Sequence, residues 1–230
     1  MSDWIRCAEY VPFWNKEDPE TKDEYGRTIA MLWIIYAKTD PPEWMKHDPT
    51  IQDKNGLTIA MYLIIYVKTE PPEWMKHDPT IQDDFGKTIA MRWIMGSKTE
   101  PPEWMTHDPT IRDKNGMTIA MYRIIYVTTE PPEWMRHDPT IRDKNEYKCV
   151  ETIAMFWIRF FKTEPPEWMR HDPTLKDRYG RTMAMFWIQH VKTEPPEWMT
   201  HDPKIRDCNN HNCEMYWRLH IVPSTPEWMM

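Results

Sequence analysis

The chain has 230 residues, 14 tryptophans and 10 tyrosines, too much aromatic surface for a disordered polymer despite its 22 prolines. A formal net charge of −7 excludes the basic footprint that non-specific nucleic-acid binding needs. Nine histidines can cancel most of that charge in acid, so solubility is expected to be poorest near about pH 5 to 6.

The four cysteines, at positions 7, 149, 208 and 213, follow no regular spacing and so do not form a disulfide framework. Residues Met1 to Tyr10 lack the apolar core of a secretory signal. No apolar run approaches the roughly 20 residues of a membrane span. A reducing, cytoplasmic setting is the expectation, with no membrane partner.

The dominant feature is internal repetition. Thr-Ile-Ala-Met begins at Thr28, Thr58, Thr88, Thr118 and Thr152, and returns as Thr-Met-Ala-Met at Thr182. Pro-Pro-Glu-Trp-Met begins at Pro41, Pro71, Pro101, Pro131, Pro165 and Pro195. The period is about 30 residues, broken once by extra residues near Glu146 to Val150, and a period of that order signals stacked units rather than one growing core.

In chain order, residues 1–22 read as a degenerate first unit, because Val11-Pro12-Phe13-Trp14 aligns with the later Pro-Pro-Glu-Trp. Full units begin at Asp23, Asp53, Asp83, Asp113, Asp143 and Asp177 and fill 23–206. Residues 207–230 form a degenerate last unit that has lost the glycine, the threonine and the Ile-Ala pair. Degenerate ends are the expected form of caps.

The unit at 53–82 shows the parts. Asp53-Lys54-Asn55-Gly56 is a turn, with glycine available for positive φ. Thr58 caps a helix over Ile59 to Lys68 that is apolar at Ala60, Ile64 and Val67, with Lys68 suited to its C-terminal end. Thr69-Glu70 and Pro71-Pro72 then start a second helix of one or two turns, Pro72 to Lys76, with Trp74 and Met75 to bury. His77-Asp78-Pro79-Thr80 closes the unit. The fold class is therefore all-α, a repeat solenoid of helix–turn–helix units with connecting loops.

The pattern Asp-x-x-Gly-x-Thr-x-Ala-Met, followed by a second helix and an Asp-Pro-Thr-Ile-Gln-Asp loop, resembles the ankyrin repeat. The resemblance places Thr58 on that family's threonine, Ala60 on its leucine and Asp78 on its loop aspartate. Here the unit is about three residues short, Met61 and Ile59 replace the family's histidine and proline, and the second helix is truncated. The resemblance implies a curved solenoid that binds other proteins and catalyses nothing. It also implies that the first helix and its preceding turn line the concave face, with Lys54, Leu57, Lys87, Met117 and Arg181 at the rim.

On a wheel of about 100° per residue, positions 62 and 66 fall opposite the Ala60–Ile64 core stripe. Through the units they read Leu32 and Tyr36, Tyr62 and Tyr66, Arg92 and Gly96, Tyr122 and Tyr126, Phe156 and Phe160, Phe186 and His190, and Tyr216 and His220. Tyrosine, tryptophan and arginine carry interface energy, and a stacked row of them facing outward marks a binding surface. The candidate partner-binding residues are Tyr36, Tyr62, Tyr66, Arg92, Tyr122, Tyr126, Phe156, Phe160, Phe186 and His190. Packing between repeats and self-association are the competing readings of the same row.

His47-Asp48 and its copies at 77, 107, 137, 171 and 201 read as turns whose histidine bonds a neighbouring loop, since a catalytic site does not need six copies. Asp53-Lys54-Asn55-Gly56 lacks the bidentate glutamate of a calcium loop, whose place holds Ile64. Cys208, His211 and Cys213 have zinc-like chemistry, with His201 or His220 as a fourth ligand, but no second Cys-x-x-Cys pair completes a site. No phosphate loop or nucleophile motif is present, so no enzymatic activity or cofactor is expected. The expected function is a protein-interaction scaffold. A self-assembling structural repeat and a zinc-stabilised C-terminal module are the alternatives.

Overall fold

The structure, a computed structural model, describes residues 18–143, 150–221 and 226–229. Most of the expected N-terminal cap, nearly all of the inserted stretch, and Cys7 and Cys149 lie outside the described residues.

Among the described residues there are seven α-helices: α1 Ile29–Ala37, α2 Ile59–Tyr66, α3 Ile89–Ser97, α4 Ile119–Tyr126, α5 Ile153–Phe161, α6 Met183–Val191 and α7 Cys213–His220. Each is followed by a single 3-10 turn on Glu-Trp-Met, as at Glu43–Met45 and Glu73–Met75. No strand is present among these residues; isolated antiparallel bridges such as Gln52–Thr58 close the turns. The chain is an all-helical repeat of solenoid type. It divides into two compact units, one up to Lys114 and one from Asn115. In the first, α1 packs on α2 and α2 on α3; in the second, α4 through α7 pack in sequence order.

The helix starts are set locally. The Thr58 hydroxyl accepts from Met61 N at 3.4 Å, and Thr28, Thr88, Thr118, Thr152 and Thr182 do the same for their helices, satisfying an end donor that would otherwise be buried unpaired. The helix ends arrive sooner than expected. Helix α2 stops at Tyr66 and Lys68 turns left-handed at φ 65°, because the prolines at 71 and 72 forbid continuation and the chain must reverse. Val67 is consequently half-buried rather than a core residue.

The expected second helix is a single 3-10 turn. Met75 is fully buried in it, while Trp74 is only half-buried. The tryptophan lies across the preceding repeat instead. His47 meets its ring edge-on at 6.1 Å and the Lys46 ammonium lies 5.9 Å from its centroid, and the same arrangement recurs at Trp104 and Trp168.

Repeats are held in register by main-chain bonds between turns. Lys54 N donates to Tyr25 O at 2.9 Å, Asp84 N to Asn55 O at 2.8 Å and Cys208 N to Tyr179 O at 2.8 Å. The approach is close enough to require glycine: a Cβ on Gly56, already at φ +74°, would sit 2.7 Å from Asp84 N.

The last unit keeps these functions with other residues. Asn210 takes the glycine's left-handed conformation at φ 65°, and the Asn212 side chain caps α7 by accepting from Met215 N at 3.1 Å. What it gives up is core. At the positions of Ala60 and Ile64 it carries Glu214 and Arg218, which pair at 2.6 Å. Met215 is 42% exposed, whereas its equivalents Met31, Met61, Met91, Met121, Met155 and Met185 are fully buried.

Candidate functional site

The wheel expectation fails at one of its two positions. Tyr36, Tyr66 and Phe160 are exposed, and Tyr126 and His190 are half-buried, as an outward row requires. Tyr62, Tyr122, Phe156 and Phe186 are buried, and Arg92 is half-buried. The reason is that the wheel assumed a helix with one covered side. All six residues from Ile59 to Ile64 are buried, so the first turns of the helix are enclosed by neighbouring repeats and by the turn that precedes them. Of the rim residues, Lys54 is exposed, Leu57, Lys87 and Met117 are half-buried, and Arg181 is buried.

The inner position has a structural task. Asp53 holds its own turn, with its Oδ1 accepting from the main-chain N–H groups of Asn55 and Leu57 at 2.9 and 2.8 Å. The Tyr62 hydroxyl donates to Asp53 Oδ2 at 2.7 Å, and burial followed by this bond pushes the phenol's pKa well up. Tyr216 serves Asp207 in the same way at 2.8 Å. Arg92 takes that place for Asp83, with Nε at 2.7 Å. In two of the units where position 62 is apolar the turn itself supplies the cation. Arg27 Nε reaches Asp23 Oδ2 at 2.8 Å in the unit with Leu32, and Arg181 Nε reaches Asp177 Oδ2 at 2.7 Å in the unit with Phe186. Sequence variation at the inner position is thus compensated in the units with Leu32, Arg92 and Phe186.

These pairs were missed from the sequence, although a signal was present. At a few positions the unit at 23 resembles the one at 83, with Tyr25 or Phe85 at the turn tip, Arg27 or Lys87 after the glycine and Trp33 or Trp93 in the helix, while the unit at 53 matches the one at 113. In the first pair, as at Asp177, an aromatic tip residue lies under an arginine: Arg27 is 4.7 Å from the Tyr25 ring centroid, Arg92 5.8 Å from Phe85 and Arg181 5.1 Å from Tyr179. In the second pair the tip is Asn55 or Asn115 and the helix instead stacks two tyrosines. Tyr62 and Tyr66 lie 5.7 Å apart, and Tyr122 and Tyr126 5.9 Å apart.

The outer row is best formed in the second compact unit. A cavity of about 300 Å³ opens between α4 and α5, lined by Tyr122, Tyr126, Phe156 and Phe160 with Arg159 and Glu151. Glu151 is fully buried and paired with Arg159, a charged pair that replaces apolar or turn-cation residues of the other repeats. Further along, Phe186 and His190 lie 4.4 Å apart, with Arg159 and Arg181 both over the phenylalanine ring. Burial, followed by the charges of Arg159, Arg181 and Lys162, brings the His190 pKa down to about 4. This part of the row is therefore aromatic, with neutral His190 at neutral pH and cations already paired to buried carboxylates.

Cys208, His211 and Cys213 do not come together, although Cys213 Sγ lies 3.6 Å from Nε2 of His201. Cys208 is exposed, and Cys213 is buried with its thiol pushed up to about 12 by that burial. His211 Nδ1 lies 3.9 Å from Asp207 Oδ2. Among the described residues no three His, Cys, Asp or Glu side chains are grouped to hold a metal. Nor is any described helix long and apolar enough to cross a membrane.

The repeat of capped helix, 3-10 turn and aspartate-held turn defines the class as a helical repeat protein. No protein-family model matches the chain, and no curated protein matches it.

Proposed function

We propose that the chain is a non-catalytic, ankyrin-like interaction scaffold that binds another protein or a peptide in the cytoplasm along the outer aromatic row. The observation that carries this reading is the contrast between the two positions. Inner residues are buried apart from half-buried Arg92, and Tyr62, Arg92 and Tyr216 hold turns, while aromatics recur at the outer position, at Tyr36, Tyr66, Tyr126 and Phe160, where burial does not demand them. Exposed aromatics beside a recess are what a partner's anchoring side chain uses. The cavity beside Tyr126 and Phe160 supplies such a recess.

The test is the double variant Tyr66→Ala with Phe160→Ala. Helical circular dichroism and the unfolding midpoint are expected to stay near those of the parent. Capture of a partner identified by crosslinking mass spectrometry is expected to weaken by tenfold or more, the loss of about 2 kcal/mol typical of an anchor residue. Unchanged capture with an intact fold removes the aromatic row as the binding surface.

A further inference from the structure

The six copies of His-Asp-Pro are built into the helix starts. His77 Nδ1 lies 2.8 Å from the carbonyl oxygen of Asp78, and its Nε2 lies 2.9 Å from the hydroxyl of Thr58, the residue that caps α2. The same two bonds recur for His47 with Thr28, His107 with Thr88, His137 with Thr118, His171 with Thr152 and His201 with Thr182. A carbonyl only accepts, so Nδ1 carries the proton and Nε2 accepts from the threonine hydroxyl. That hydroxyl in turn accepts from the helix N–H. Each threonine is buried.

We propose that five of these imidazoles, His47, His77, His107, His137 and His171, form an acid-operated latch, holding the helix starts while neutral and loosening them together when protonated. A proton on Nε2 sets two donors against each other across about 2.9 Å. The hydroxyl proton must then turn away from the ring, and the bond between Nε2 and the capping hydroxyl is lost. The added positive charge also lies at a helix N-terminus, the end that repels cations.

The surrounding charges do not offset this. His47 faces Asp48 and Glu20, which favour its charged form, and Lys22, which opposes it. His77, His107 and His137 each face the aspartate that follows, which favours their charged form. His171 faces Asp172 and Asp138 against Arg142. Trp74, Trp104 and Trp168 cover His47, His77 and His137 from the next repeat and bring no charge. The facing aspartates Asp48, Asp78, Asp108, Asp138 and Asp172 are solvent-exposed, where screening weakens their pull. Burial is the largest influence in all five cases and lowers the pKa of each imidazole below 6.5.

The unfolded chain therefore binds more protons than the folded one once the pH falls below 6.5, and stability drops from there downward. The carboxylates held low by Thr50 and its equivalents act only in the more acid range below 3.8.

The experiment is an NMR titration of the intact chain together with urea unfolding between about pH 7.5 and about pH 5. Expected are five imidazoles in the Nδ1–H form with midpoints under 6.5. Stability should fall as the pH is lowered through this range, the sign of net proton uptake on unfolding, and His190 contributes in the same direction. Thr58→Val should raise the His77 midpoint alone, while Thr58→Ser leaves it in place. Midpoints at or above the ordinary value, a flat stability profile, or an unmoved His77 in Thr58→Val overturns the latch.

Discussion

Tyr62 shows how a residue that looks like a binding aromatic is spent on the fold. Its hydroxyl donates to the buried carboxylate of Asp53, which in turn holds the turn that the next repeat rests on. Removing one donor from a buried carboxylate costs about 1–3 kcal/mol, so Tyr62→Phe is expected to lower stability by that amount in urea unfolding. Tyr66→Phe, at an exposed ring, should change it by less than about 0.5 kcal/mol. The compensation seen with Arg27 and Leu32 carries a stronger expectation. In a Tyr62→Leu background, adding Leu57→Arg should recover part of the lost stability. If the added arginine restores nothing, the guanidinium and the phenol are not serving the same carboxylate role.

At the scale of the element, the turn rather than the helix is the least tolerant part. Gly86 has φ +74°, and a Cβ there would lie 2.7 Å from Lys114 N in the next repeat. Strain and overlap act together, so Gly86→Ala should cost about 2–4 kcal/mol. Gly96 gives the opposite sign. It lies within α3, with no positive φ, and its nearest neighbour would be 3.4 Å from an added Cβ. Gly96→Ala is expected to raise stability by about 0.5–1 kcal/mol through helix propensity. Thermal unfolding of the two variants side by side checks both signs; destabilisation of equal size at both positions would show that backbone conformation is not what separates them. The αL lysines at 38, 98, 162 and 192 belong to the same scale, since the proline pair after each helix forces the reversal there.

At the scale of the whole molecule, the polar exchange in α7 is expected to disfavour association through that face. Every earlier helix has alanine and isoleucine at the positions of Ala60 and Ile64, all fully buried, while α7 carries the Glu214–Arg218 pair with Met215 exposed beside it. Terminal repeats with a polar outer face keep such stacks soluble. Glu214→Ala with Arg218→Ile would enlarge the apolar surface around Met215 and Leu219, both already exposed. Light scattering over a dilution series is expected to show larger, concentration-dependent species for this variant and not for the parent. A variant that stays the same size as the parent would mean that the pair does not protect this face.

The sequence by itself determined the period, the glycine turn, the threonine cap, the burial of Met75 and the proline stop, because each is a local rule repeated in every unit. It also contained, unread, the aromatic turn tips shared by Tyr25 and Phe85 and the match of unit 53 with unit 113. Only the tertiary structure decided which half of the aromatic row is free. A helical wheel treats a helix as having one covered side, but α2 is covered all round for its first six residues. Burial there comes from the repeats before and after, not from the helix's own pattern. The histidines followed the same division. Spacing identified them as turn residues, whereas their placement on the capping threonines, with Nε2 facing a buried hydroxyl, exists only once the chain has closed 19 residues back on itself.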